Sequence, residues 1–232
     1  MSVFSDFDFN IIARSLPYLF REGMTFTLTL TAIATIGGVL LGTLIAMARL
    51  SSLPVLPALA ASYVNVMRAL PLVLVIFLFY FLMPYIGQWI LQADRPIQVG
   101  ALSSTIITFT LFEAAYFSEI MRAGIQSIPR GQVAAGYAIG LTYSQMMRYV
   151  VLPQAFRNML PVIFTQMIVL FQDTSLVYVL SITDFLGAAS KVGQRDGRLT
   201  EMYLFAAAVY FIISLTASML VKRLQARIAI AR

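Results

Sequence analysis

Five long apolar stretches constrain the fold of this 232-residue chain more than any other feature of its sequence. Only 11% of the residues are charged, whereas soluble domains carry about 25%. Each stretch is long enough for a membrane-spanning helix, which needs roughly 20 apolar residues. The sequence therefore predicts an all-α integral membrane protein with five transmembrane helices. The predicted spans are 24–48, 59–91, 97–121, 159–181 and 202–221.

The absence of two residue types excludes most catalytic and metal sites. The chain contains no Cys and no His. Without Cys there is no disulfide framework, thiolate metal site or Cys nucleophile, and without His there is no Ser-His-Asp triad or HExxH zinc site. Most enzyme classes are therefore excluded.

The second apolar stretch is longer than one membrane crossing requires. As a single helix its 33 residues would extend about 50 Å, against a hydrocarbon core of about 30 Å. We expect one helix that starts in the inner interface, bends near Pro71 and leaves the membrane near Pro84. Two separate segments are the less favoured alternative, because a hairpin at Leu70 and Pro71 would leave backbone groups unsatisfied in the bilayer.

The residues ahead of the first span, 1–23, form an amino-terminal segment. Between Asn10 and Glu22, apolar side chains recur near helical spacing beside Arg14 and Arg21, which predicts an amphipathic helix on the membrane surface. We interpret it as an ordinary lead-in to the first span, and a binding role is less favoured. The transmembrane domain covers 24–221, and a basic cytoplasmic tail covers 222–232.

Basic residues give the orientation. With the amino terminus outside, nine basic and no acidic residues fall on the inner side, against six basic and seven acidic residues on the outer side. The positive-inside rule therefore favours an outer amino terminus and an inner carboxyl terminus. The net charge of +6 reflects this bias, and we expect no nucleic-acid partner.

The inner segment 122–158 is too long for a plain connection, so we expect it to be structured. A turn at 128–131 precedes a short helix that ends near Gly140. Thr142 and Gln145 have the spacing of a capping box, which predicts a second helix over 143–152 that Pro153 ends. From the residues alone, a hairpin packed on itself and an element that docks a partner are equally supported.

This segment resembles the EAA motif of permeases from importers of the ATP-binding cassette (ABC) superfamily. Ala134 replaces the motif's signature glutamate, and with it the carboxylate of a possible salt bridge to the ATPase; Gly136 replaces its second alanine. In that family the motif forms a coupling helix that sits in a cleft of the ATPase. The resemblance assigns ATPase coupling to Gly131, Gln132, Ala134, Ala135, Gly136, Gly140, Leu141 and Pro153.

Further blocks around Met67–Leu72, Phe112–Tyr116 and Phe171–Leu176 resemble the polar amino acid branch, and within it the glutamate/aspartate permeases. The resemblance implies a type I ABC importer permease in the bacterial inner membrane, a non-catalytic subunit that binds no metal and no cofactor of its own. It implies four partners: a cytosolic ATPase dimer that uses ATP, a second permease copy or paralogue, membrane lipid, and a periplasmic binding protein that docks near Asp94 and 188–198. A permease for glutamine, histidine or arginine is the alternative, and an ion-coupled transporter, channel or scaffold is less favoured.

Ionisable residues inside a membrane need a partner, a water-filled cavity or a function. We assign Arg68, Glu113 and Asp173 to the substrate pathway, together with the hydroxyl groups of Thr174 and Ser175, which can let the helix open locally. Arg68 and Glu113 could instead pair with each other or with backbone groups, and these two interpretations are equally supported. Glu119 and Arg122, three residues apart, are more simply explained as a structural pair near the inner interface.

Overall fold

The computed structural model describes residues 7–228, and every regular element among them is helical. Residues 1–6 of the predicted amino-terminal segment and 229–232 of the predicted tail lie outside the described part. The α-helices are α1 (Phe9–Tyr18), α2 (Thr25–Arg49), α3 (Leu56–Ala69), α4 (Leu72–Phe77), α5 (Met83–Leu91), α6 (Ala101–Gln126), α7 (Arg130–Ala138), α8 (Tyr143–Gln145), α9 (Leu152–Asp173), α10 (Phe185–Asp196) and α11 (Leu199–Ile228). Three π-helical stretches (Leu19–Met24, Leu78–Leu82, Met146–Val151) and a 3₁₀ helix (Thr174–Leu180) lie between them.

The predicted all-helical fold is confirmed. Within residues 7–228, four helical stretches are long and apolar enough to cross a membrane: Phe9–Arg49, Leu72–Leu91, Tyr143–Leu180 and Leu199–Ile228. The third predicted span corresponds to α6, which has 26 residues and whose apolar surface is diluted by Ser, Thr and Glu. The number of five spans and the orientation therefore remain predictions.

The single bent helix predicted for the second apolar stretch is wrong, because the helix breaks completely before Pro71. Leu70 is extended, with φ −102° and ψ 141°, and separates α3 from α4. The Pro ring disfavours helical geometry in the residue before it, so the break falls at Leu70. The carbonyl of Pro71 accepts from the amides of Leu74 and Val75, which starts the next helix. Pro84 does not end the helix, which continues to Leu91.

The amino-terminal helix is not separated from the first span. α1 continues through the π-helical stretch into α2, so the domain boundary predicted at residue 23 lies inside one helical run of 41 residues. Ile11 and Leu19 are buried, which fits the predicted amphipathic pattern. At Gly23 an added Cβ would lie 2.9 Å from the Asp184 carbonyl oxygen, so only glycine allows this close approach.

The chain divides into two compact units, each with a hydrophobic cluster. The first unit comprises the described residues of Met1–Ala34, Ile76–Thr108 and Ile168–Ser218. Its cluster centres on Phe185, packed with residues of α1, the π-helical stretch Leu19–Met24, α9, α10 and α11. The second unit comprises Thr35–Val75, Phe109–Met167 and the described residues of Met219–Arg232. Its cluster joins Ala46, Met121, Met146 and Met159.

Candidate functional site

The inner segment 122–158 folds locally as a helical hairpin. Its first arm, α7, begins after Pro129, and the chain reverses at Gly140, whose φ of +86° favours glycine. The second arm opens at Thr142, whose hydroxyl accepts from the Gln145 amide at 3.4 Å while the Gln145 side chain accepts from the Thr142 amide at 2.9 Å. The predicted capping box is therefore confirmed.

Pro153 does not end the second arm, contrary to the prediction. The helix continues from Tyr143 to Leu180 in one run. A π-helical stretch over Met146–Val151 precedes α9, and Pro153 is the second residue of α9. Proline is tolerated in the first turn of an α-helix, where its missing N–H leaves no intrahelical bond unmade.

Contacts between the two arms make the hairpin a fixed shape. Gly136 is buried against the second arm, where an added Cβ would lie 2.0 Å from the Met146 methyl carbon. The Gln154 side chain donates to that of Gln132 at 2.7 Å. Of the residues assigned to ATPase coupling, Gly136 is buried and Leu141 half-buried, and the exposed ones are Gly131, Gln132, Ala134, Ala135, Gly140 and Pro153. Gly136 therefore serves internal packing.

A cluster of ionised side chains in the second unit connects three helices. Glu119 of α6 accepts from Arg49 of α2 and from Arg122 of α6, each at 2.6 Å. Arg68 of α3 lies 3.5 Å from the same carboxylate, and its guanidinium carbon lies 5.4 Å from the centre of the Tyr116 ring. The expected Glu119–Arg122 pair is confirmed. Among the described residues, Arg68 forms its ion pair with Glu119 and not with Glu113, the partner considered from the sequence.

Glu113 lies in the interior of the second unit. It is 1% exposed, and the Gln166 side-chain amide donates to its two carboxylate oxygens at 3.3 and 3.1 Å. Gly38 of α2 faces it, because a Cβ added there would lie 3.0 Å from the Glu113 Cβ. A buried carboxylate on an amide donor is costly unless well satisfied, so this position is a candidate for function as well as for packing.

The polar sequence 172–175 coincides with a change of helix type in the first unit. α9 ends at Asp173 and a 3₁₀ helix begins at Thr174, whose hydroxyl donates to the Phe171 carbonyl at 2.7 Å. The predicted local change in the helix is therefore present. Gln172 donates to Ser214 of α11 at 2.9 Å beside a groove of about 500 Å³ that Ser175 also lines.

Residues 188–198, predicted as an outer loop, are mostly helical and partly buried. α10 ends at Asp196, and Ala188 and Ala189 are fully buried. Asp184 caps the helix by accepting from the amides of Leu186 and Gly187 at 3.0 and 2.9 Å. Burial raises the pKa of Asp184 to about 6, although these two amide bonds lower it.

The exposed end of α10 carries surface ion pairs. Arg14 of α1 lies 3.1 Å from the Asp196 carboxylate, and Arg195 lies 2.8 Å from it. The Arg195 and Arg14 guanidinium groups hold the pKa of Asp196 below its usual range. Within residues 7–228, no group of three or more acidic side chains is placed to hold a metal ion.

The chain matches a known protein family over most of its length. The family described as "Binding-protein-dependent transport system inner membrane component" matches residues 38–230. The chain belongs to this family. The permease is 51% identical over 224 residues to the glutamate/aspartate import permease protein GltK of Escherichia coli O157:H7, covering 97% of this chain and 99% of that protein. It is therefore an amino acid ABC importer permease and a multi-pass membrane protein.

More distant relatives share the architecture. The permease is 35% identical over 209 residues to a probable glutamine ABC transporter permease of Bacillus subtilis, covering 89% of this chain and 92% of that protein. A solved structure, "Crystal structure of an amino acid ABC transporter with histidines", superposes with a TM-score of 0.86 at 31% identity and covers 98% of this chain and 100% of that one. The permease therefore has the type I ABC importer permease fold.

The structure gives several residues of the permease contacts that were not predicted from the sequence. Arg49, one of the nine basic residues counted on the inner side, makes one of the two shortest ion pairs to Glu119. Gln166 is the amide donor to Glu113, a contact that nothing in the neighbouring sequence indicates. Asp184 is a buried cap and not an outer-loop charge. Only Asp184 had a local signal, since it stands three residues ahead of Gly187 at the start of a helix.

Proposed function

We propose that this permease is the transmembrane subunit of an ATP-driven, binding-protein-dependent importer of glutamate and aspartate in a bacterial inner membrane. The observation that carries the proposal is the 51% identity to a glutamate/aspartate import permease over 97% of the chain. The relative associated with glutamine is 35% identical. The proposed topology has five spans, an outer amino terminus and an inner carboxyl terminus.

The proposal gives ATP hydrolysis to a separate ATPase dimer that docks on the hairpin 122–158. The hairpin suits a coupling element because its arms are fixed to each other at Gly136 and Gln132, so a push on α7 moves both arms. The second arm is one helical run from Tyr143 to Leu180, which also contains Thr174 and Ser175. Closure of the ATPase would therefore displace the hairpin as one rigid body.

We assign Arg68, Glu113, Asp173, Thr174 and Ser175 to the substrate pathway. Arg68 offers a partly exposed cation for a carboxylate, and Glu113 offers an anion for an ammonium group. The hydroxyl-rich start of the 3₁₀ helix gives a place where backbone carbonyls can be released. A second permease, identical or paralogous, completes the pathway, and a periplasmic binding protein delivers substrate to the outer face near Asp94 and the carboxyl end of α10.

Uptake by the reconstituted transporter tests the proposal. The permease is placed in proteoliposomes with its ATPase, second permease and binding protein, and ATP is enclosed on the ATPase side. We expect ATP-dependent accumulation of labelled glutamate and aspartate, which unlabelled glutamine in excess does not suppress. Suppression by glutamine would shift the substrate to a neutral amino acid. Accumulation without ATP, driven by an ion gradient, would contradict the proposal.

A further inference from the structure

Three arginines surround one carboxylate in the second unit. Arg49 and Arg122 reach Glu119 at 2.6 Å, and Arg68 reaches it at 3.5 Å. These are the ion pairs that the four residues make within the described part of the chain. Three positive charges thus face one negative charge, and two positive charges are left in excess. An anion bound beside these partly buried arginines would compensate this excess.

Arg68 is the arginine with capacity left for a ligand. Both oxygens of Glu119 already accept a hydrogen bond of 2.6 Å from another arginine. The Arg68 side chain is 44% exposed, against 13% for Arg49 and 30% for Arg122. Its guanidinium group lies against the Tyr116 ring, which orients the group while leaving N–H donors free.

A cavity of about 400 Å³ lies beside this guanidinium group. The cavity is open to its surroundings on one side, and its walls include the apolar side chains of Ile120, Met159 and Val162. Ser127 and Asn158 also line it, and the Asn158 amide donates to the Ser127 hydroxyl at 2.8 Å. Glu119 lines the cavity as well, and its two carboxylate oxygens are engaged by Arg49 and Arg122. The cavity thus combines an under-used cation, a neutralised carboxylate, neutral hydrogen-bonding groups and apolar walls.

We propose that this cavity binds an oxyanion, a carboxylate or phosphate group, at the free side of the Arg68 guanidinium. Planar guanidinium donors match both groups with two parallel hydrogen bonds. Two sources provide this chemistry: the carboxylate of a transported amino acid and the phosphate of an anionic lipid. The carboxylate source rests on the proposed import function, whereas the phosphate source does not depend on what is transported.

Binding measurements on the permease in complex with its ATPase test the site. Wild type and Arg68→Gln are compared in phosphatidylcholine nanodiscs with and without phosphatidylglycerol, whose retention is read by native mass spectrometry. Binding of L-glutamate is measured by calorimetry on the same samples. Arg148→Gln is the matched control, because Arg148 is exposed, also lies on the predicted inner side and is stacked on its neighbour Tyr149.

We expect Arg68→Gln to weaken the binding of one of the two ligands roughly tenfold, which is the effect of losing a charged hydrogen bond. Arg148→Gln should bind both ligands about as tightly as the wild type. If only the binding of phosphatidylglycerol is lost, the site binds a lipid phosphate. If only the binding of glutamate is lost, the site binds a substrate carboxylate. Unchanged binding of both ligands by Arg68→Gln, or an equal loss in Arg148→Gln, would overturn the site. Arg68→Lys, which keeps the charge, should restore part of the binding, and an unchanged elution volume verifies the fold. A complex that retains phosphatidylglycerol through Arg68 but transports no glutamate would refute the proposed function and leave the site standing.

Discussion

Replacing Glu119 with Gln should destabilise the permease far more than the same change at an exposed ion pair. The substitution preserves the shape of the side chain and removes the only carboxylate that Arg49, Arg68 and Arg122 share in the described structure. The side chains of Glu119 and Arg49 are 19% and 13% exposed, so they are largely withdrawn from solvent. Removing one partner of a buried ion pair costs about 3–5 kcal/mol.

The partial exposure of Arg122, at 30%, reduces that cost through solvent screening. We therefore expect Glu119→Gln to lower the free energy of unfolding by about 2–3 kcal/mol. For a chain of this length, this corresponds to a fall of about 5–10 °C in the unfolding midpoint. Intrinsic fluorescence of the purified complex, heated at a fixed rate in detergent, measures the midpoint.

Asp196→Asn is the matched control. This carboxylate also contacts two arginines, Arg14 and Arg195, but those side chains are 60% and 66% exposed. Exposed ion pairs contribute about 0–1 kcal/mol, so the control should shift the midpoint by no more than a few degrees. Equal shifts for the two variants would refute the conclusion that the Glu119 cluster holds the three helices together.

Three further predictions concern single side chains. Gly140→Val should reduce ATP-driven uptake roughly tenfold or more while the protein still inserts into the membrane, because a β-branched residue is strained at a φ of +86°. Normal uptake by this variant would refute the coupling role. Gly42→Ala should lower the free energy of unfolding by about 1–3 kcal/mol, since the added Cβ would lie 2.9 Å from the Ala114 carbonyl oxygen. Gly131 has open space around it, so Gly131→Ala should change the free energy of unfolding by no more than about 0.5 kcal/mol in the same thermal unfolding assay. Asp184→Asn keeps one of the two cap oxygens and so one of the two amide bonds. Relative to the wild type, its free energy of unfolding should increase by about 2–3 kcal/mol between pH 4 and pH 7.5, because the folded wild type binds the proton more tightly than the unfolded chain and loses stability as the pH rises from about 4 to about 6. An equal difference from the wild type at the two pH values would contradict this.

Local signals predicted two features of the helical hairpin 122–158, its capping box and its reversal. A capping box needs only Thr142 and Gln145 at a spacing of three, and a reversal with positive φ needs only a glycine such as Gly140. Both features depend on neighbouring residues, so the sequence contains what is needed to recognise them.

The two prolines show where local reasoning fails. Pro71 breaks the helix before it, whereas Pro153 lies inside a continuous helix. The residue type is the same, but Pro153 follows a π-helical stretch and occupies the first turn of α9. The sequence pattern did not indicate that stretch, so the effect of Pro153 could not be judged from its neighbours.

Contacts between side chains that are distant in sequence could not be predicted, for a different reason. Arg68 and Glu119 are 51 positions apart in sequence, and their contact depends on which faces of α3 and α6 meet. Gln166 and Glu113 are 53 positions apart. The helix α10 was missed because its buried face consists largely of small residues such as Ala188 and Ala189, which give a hydropathy scan little signal.

Native mass spectrometry of the complex, gently purified from its own host, tests the central claim most directly. The proposed function predicts that the permease is recovered with an ATPase dimer, with a second permease, and with glutamate or aspartate retained after the binding protein has delivered it. The masses also give the stoichiometry. Repeated recovery of this chain alone, with its fold intact and no ATPase, would contradict the account and favour a channel or scaffold.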